Sequence, residues 1–158
     1  MSLHAIEIER SVLNTLMSIP AAYDSVSGLG EHLFFADRHK EIFTAIQEIK
    51  LLGQHADQPL VADHLEKRKI DTATLLGLMR GGYQSTVLHD HVAKLAELSV
   101  RRAAQQALRI AIHAIEDQPD QSAQLVVNNA VDALITANLQ GDSKKAVTMR
   151  AAAMDFVH

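Results

Sequence analysis

From Thr86 to Asp117 the chain runs without a proline or a glycine, and Ala, Leu, Arg, Gln and Glu dominate the stretch. These residues lose least on entering a helix, so the run predicts one long α-helix. At ~1.5 Å per residue it would measure about 45 Å, more than the roughly 30 Å width of a compact globule made from the residues before it. Part of such a helix must project. Pro119-Asp120 breaks the run, Asp120 or Ser122 supplies a cap, and a second helix continues to Leu139 before Gly141-Asp142. A long helix, a short turn and a returning helix predict a helical hairpin.

The apolar pattern of this hairpin is two-sided. Ala96, Val100, Ala103, Ala107, Ile110 and Ala114 follow alternating steps of four and three, as do Ala123, Val127, Ala130, Leu134 and Ala137, which is the spacing of a packed seam. Small residues there let two backbones approach. Leu98, Leu108, Ile112, Ile115, Leu125, Val126, Val131, Ala133, Ile135 and Leu139 lie off that seam. A helix that is apolar nearly all round needs a second covering surface. The globule can supply part of it, and a hairpin that outreaches the globule points to another copy of the chain. The expected oligomer interface comprises Val100, Ala103, Ala107, Leu108, Ile110, Ile112, Ala114, Ile115, Leu125, Val126, Val131, Leu134 and Ile135.

Upstream, helical spacing of Ile8, Val12, Leu13, Leu16, Met17 and Ile19 predicts an amphipathic helix that Pro20 stops. A short helix with Tyr23 and Val26 follows, then a loop at Gly28 and Gly30, then an aromatic plug, Leu33-Phe34-Phe35. Asp37 is the expected N-cap of a helix that buries Ile42, Phe43, Ile46 and Ile49, with Gly53 placed for a left-handed C-terminal cap. Asp57 and Pro59 start a helix to Lys69 with Leu60, Val61 and Leu65 as its core, and Thr72 starts another with Leu75, Leu76, Leu78 and Met79. The fold class is all-α: a helical head over 4–85, a hairpin over 86–140, and a linker over 141–158 whose Met149, Ala152, Ala153, Phe156 and Val157 suggest the start of a further helix.

Composition narrows the function. Apolar residues make up 47% and charged residues 22%, so the chain folds, while no run approaches the roughly 18 apolar residues of a membrane span. Without cysteine there is no disulfide or thiolate chemistry, and without an apolar leader the expected compartment is the cytoplasm. The net charge of −4 argues against a broad phosphate-binding surface, and so against a helical DNA-binding regulator. Lys67-Arg68-Lys69 suits the C-terminal end of its helix, and neither it nor Arg101-Arg102 has interleaved aromatics.

Catalytic patterns are missing as well. Gly28-Leu29-Gly30, Gly81-Gly82 and Gly141-Asp142-Ser143-Lys144 lack the spacing of a phosphate-binding loop, and there is no zinc helix or calcium loop. His89 and His91, two apart on a helix, point away from each other, whereas helical ligand pairs sit three or four apart. Glu7 and Glu9 suit a first helical turn, and Glu41 and Glu48 a solvated face. No catalytic, metal-binding or cofactor-binding residue is expected in this chain.

Three blocks carry a family resemblance. Ile6-Glu7-Ile8-Glu9-Arg10-Ser11-Val12-Leu13 resembles the opening motif of the N-terminal domain of DnaB-type replicative DNA helicases: acidic, x, acidic, x, Ser-Val-Leu. His32-Leu33-Phe34-Phe35-Ala36-Asp37-Arg38-His39-Lys40-Glu41-Ile42-Phe43 is similar to its Phe-Tyr/Phe, x-x-x-His-x-x-Ile-Phe, and Leu60 to Glu66 resembles its Leu-x-x-x-Leu-Glu helix, with Val61 at the position of the first leucine. The family-motif core would thus be Val12, Leu13, Phe34, Phe35, His39, Ile42, Phe43 and Leu65. The chain departs from the family over Leu75 to Asp90, where Gly81-Gly82-Tyr83 stands in a compressed segment, which suggests a phage, prophage or divergent bacterial helicase. The resemblance implies hairpins that pair between subunits, a trimer of dimers in a hexameric collar, and docking of primase and a helicase loader. It also implies that ATP, magnesium and single-stranded DNA belong to a motor domain that this chain lacks, with residues 149–157 where the linker helix to that motor begins.

Overall fold

The computed structural model describes residues 3–73, 75, 77 and 85–141. Every element among them is helical: α1 (Leu3–Ser18), α2 (Ala22–Ser25), a 3₁₀ turn (Glu31–Leu33), α3 (Asp37–Leu51), α4 (Gln58–Lys67), a second 3₁₀ turn (Ser85–Val87), α5 (Leu88–Asp117) and α6 (Ala123–Gly141). The chain divides into two compact units with their boundary between Leu95 and Ala96, inside α5. Residues 142–158 of the expected linker, the region of Gly81-Gly82-Tyr83 and the expected core residues Leu76, Leu78 and Met79 lie outside the described residues.

In the first unit α3 packs against both α1 and α4. Each helix contributes the stripe its spacing predicts: Val12, Leu13, Leu16 and Met17 from α1, Ile42, Phe43, Ile46 and Ile49 from α3, Val61 and Leu65 from α4. Phe34 and Phe43 lie 5.1 Å apart between ring centroids, and the half-buried Tyr23 stacks with Phe43 at 6.4 Å. The three rings tie α2 and the loop after it to the middle of α3. Two expected core residues are exposed. Phe35 follows Phe34 in extended backbone, where successive side chains point to opposite sides, so one ring goes inward and the other outward. Leu60 stands about 100° round α4 from Val61 and is left at the edge of the core.

Helix ends are set by caps, some of them not the expected ones. Asp57 Oδ1 accepts the Leu60 N–H at 3.0 Å, with Pro59 in the first turn. Asp71 Oδ1, and not Thr72, accepts the Ala73 N–H at 2.9 Å. Ser122 Oγ accepts the Leu125 N–H at 3.1 Å and so caps α6. Asp37 is the first residue of α3 and not its cap; the capping position falls on Ala36, which has no side chain to offer.

Two helices close with the same pair of backbone bonds. After α3, Gly53 N–H donates to Lys50 C=O and Gln54 N–H to Ile49 C=O, with Gly53 at φ +76°. After α4, Lys69 N–H donates to Glu66 C=O and Ile70 N–H to Leu65 C=O, with Lys69 at φ +58°. Both are left-handed caps that satisfy orphan carbonyls, and only the first uses the residue that adopts that conformation freely. A Cβ at Gly53 would meet nothing within 4 Å, so the effect of a side chain there is purely conformational. Gly53→Ala should therefore destabilise the chain by about 1 kcal/mol, while Lys69→Gly should stabilise it by up to about 1 kcal/mol. Urea melts of the two variants check this, and equal shifts of the same sign would contradict it.

Candidate functional site

The end of α3 that lacks its own cap receives one from α1. Glu9 is fully buried; its Oε1 accepts the Phe35 N–H at 2.7 Å, and its Oε2 lies 3.4 Å from the Ala36 nitrogen and 2.6 Å from His39 Nδ1. With the carboxylate accepting two backbone N–H groups, Nδ1 is assigned as the third donor. His39 is itself buried at 3% exposure. One carboxylate thus satisfies the backbone ahead of α3, meets the positive end of its dipole and fixes the imidazole in the first turn. The sequence places Glu9 with Glu7 in a first helical turn; since α1 starts at Leu3, Glu9 is a turn further in. The missed signal is its spacing: Ala5, Glu9, Val12 and Leu16, all buried, follow steps of four, three and four. This geometry can hold two helices in register, and it offers no reacting group to solvent.

Many other polar side chains in the first unit are similarly engaged, while the buried Nδ1 of His91 has no hydrogen-bond partner. Glu48 of α3 accepts from His64 and lies 3.4 Å from Arg68 beyond α4, and Lys67 pairs with Asp63. Lys50 reaches Asp24 at 3.1 Å and stands over the Tyr23 ring. Arg38 donates to Glu41 at 2.8 Å, a bond that raises its pKa above the ordinary value. His55 Nε2–H donates to Met17 C=O at 3.0 Å, and His89 Nε2–H to Ser25 C=O at 2.9 Å. Among the described residues no three His, Asp or Glu side chains are grouped to hold a metal ion, and no helix is long and apolar enough to cross a membrane.

In the second unit α5 and α6 fold back on each other around the turn closed by the Gln121 N–H to Gln118 C=O bond. Of the thirteen residues expected at the interface, Ala107 and Val126 are buried and Val100, Ala103, Ala114 and Leu134 half-buried. Leu108, Ile110, Ile112, Ile115, Leu125, Val131 and Ile135 are exposed. The line of contact differs from the expected seam. Val126, Ala130 and Ala137 turn inward in α6 while Ala123 and Val127 are exposed, and Ala107, Ala111 and Ala114 serve in α5 while Ile110 stands outside. The inward line is mostly alanine, with Val126 as its buried branched residue, while most of the large branched side chains stand outward. Where the alanines cannot fill the space, a cavity of 240 Å³ remains, with Ala107, Ala111, Ala130 and Ala133 in its lining and His113 and Asn129 among its polar residues.

The described chain thus comprises an all-helical unit locked by a buried carboxylate and a helical hairpin with many branched aliphatic residues outside. The chain belongs to the DnaB-like helicase N terminal domain family, whose model matches residues 1–97. The crystal structure of the N-terminal domain of DnaB helicase from Mycobacterium tuberculosis is similar in fold, with a TM-score of 0.72 at 21% sequence identity. That likeness covers 83% of this chain and 96% of that one, so it reaches past the family match into the hairpin. No curated protein matches the sequence.

The motif residues thereby acquire a physical role, since the acidic residue of the first block and the histidine of the second meet at the clamp. Removing the carboxylate with Glu9→Ala should leave the Phe35 and Ala36 N–H groups and His39 without their acceptor, a loss of about 3 kcal/mol or more. That corresponds to a melting temperature lower by roughly 6–12 °C in a chain of this size, whereas Glu9→Gln, which keeps one acceptor, should lose less than half as much. Thermal unfolding followed by circular dichroism tests the order; a melt unchanged in Glu9→Ala would refute the clamp.

Proposed function

We propose that this chain is the oligomerisation and partner-docking domain of a replicative DNA helicase, acting in the cytoplasm, with primase and a helicase loader as the docked proteins. The observation that carries the reading is the set of large aliphatic side chains left exposed on the hairpin of a chain from this family. Seven of the proposed interface residues are at least 47% exposed, a large amount of apolar surface for a helical pair to leave in water. The acidic balance of the chain fits a domain that meets proteins and leaves DNA to a motor domain, where ATP and magnesium would also act. Within a hexamer the hairpins would pair, and the pairs would build a trimer of dimers.

Light scattering after size exclusion should give this chain the mass of a dimer or a larger species, with dissociation on dilution. A strict monomer at several hundred micromolar would overturn the oligomerisation reading. Primase docking is checked separately by titrating the chain with the primase of the same genome, where absence of a heat signal and of co-elution would remove that part alone.

A further inference from the structure

Near the turn of the hairpin, α5 and α6 leave the 240 Å³ cavity, whose floor is made by Ala107, Ala111 and Ala114 on one helix and Val126, Ala130 and Ala133 on the other. At about 100° per residue, Ile110 and His113 lie roughly 60–120° round α5 from Ala107, and Asn129 roughly 100° round α6 from Ala130. All three line the cavity, so its mouth opens on the face they share. The lining holds no Asp, Glu, Lys or Arg, and its histidine, His113, pairs with Asp117. Gln118, Gln121 and Asn129 supply carboxamides, and no other side chain among the described residues engages them. An occupant is therefore uncharged and mostly apolar, with one polar edge to meet a carboxamide.

Size narrows the occupant further. An apolar cavity of ~150 Å³ holds one benzene ring, so 240 Å³ has room for a fused pair of rings. It falls short of the ~300 Å³ at which pockets for whole small-molecule ligands begin. Indole has that size and that polarity: two fused rings and a single N–H that takes an acceptor when buried. Tryptophan is also prominent among the anchor side chains that fill pockets at protein interfaces. This chain contains no tryptophan, so a second copy of it cannot be the source.

We infer that this cavity is the docking site for one tryptophan side chain of a different protein, its indole lying among the alanines and its N–H donating to one of the three carboxamides. The inference rests on the partner-docking reading above and gives it a place on the hairpin.

Because the chain has no tryptophan of its own, N-acetyltryptophanamide reports its own binding by fluorescence. Adding the chain should shift the probe's emission to the blue and saturate with a dissociation constant on the order of a millimolar. Ala133→Leu, an exposed position where leucine fills the cavity, should weaken binding by about tenfold or more with helical content unchanged, and Asn129→Ala should weaken it by about threefold. Val131→Ser, away from the cavity lining, should leave it within about twofold of the parent chain. Absence of saturation, or equal binding by Ala133→Leu, overturns the cavity assignment. Titration with primase keeps the two readings apart. Primase that binds the parent chain and Ala133→Leu alike upholds partner docking and overturns the cavity as its anchor point. Primase that binds neither, while the probe binds the parent chain and not Ala133→Leu, removes primase and upholds the tryptophan site.

Discussion

The first unit is organised around one buried carboxylate. Glu9 projects from the second turn of α1 to the beginning of α3 and takes hydrogen bonds from two backbone amides and an imidazole, 26 to 30 residues along the chain. Burying a carboxylate without partners would be strongly unfavourable, so the group tolerates only the arrangement in which all three donors converge. That requirement fixes the axial position of α1 against α3, which apolar stripes alone leave free to slide. It also explains how α3 can begin after Ala36 without a capping side chain of its own. The core of Phe34, Phe43 and Tyr23 then packs in the register the carboxylate sets.

Much of this architecture was legible because helix stripes and helix ends obey local rules. The stripes of α1 and α3, the break at Pro119, the cap at Asp57 and the left-handed Gly53 all follow from residue type and spacing. Glu9 was not legible by the same reading, because a carboxylate defaults to solvent and only its position on the buried stripe of α1 betrays it. Phe35 failed for a different reason: composition marks an aromatic pair as core, but extended backbone sends neighbours to opposite sides. At the hairpin, Val126 and Val127 are adjacent and identical, so a periodicity argument cannot choose between them. Packing decides, because the turn closed at Gln121 sets the rotation of α6 relative to α5.

The family relation and the geometry reinforce each other at different points. Family membership accounts for the conjunction of acidic, aromatic and histidine motifs in the head, and the clamp supplies the physical reason those residue types occur together. The hairpin lies beyond the matched residues for most of its length, so its surface is understood from exposure and rotation alone.

The alanine seam has a consequence for how the second unit acquires order. Alanine loses no side-chain entropy on burial, so bringing α5 and α6 together at the seam costs little, but each alanine also removes only a small apolar area from water. The seam is thus easy to form and weakly stabilising, and the larger aliphatic groups, which could contribute most, face outward. If another molecule covers that outer face, ordering of the hairpin and the association become one linked equilibrium, and the degree of hairpin order then depends on concentration as well as on sequence.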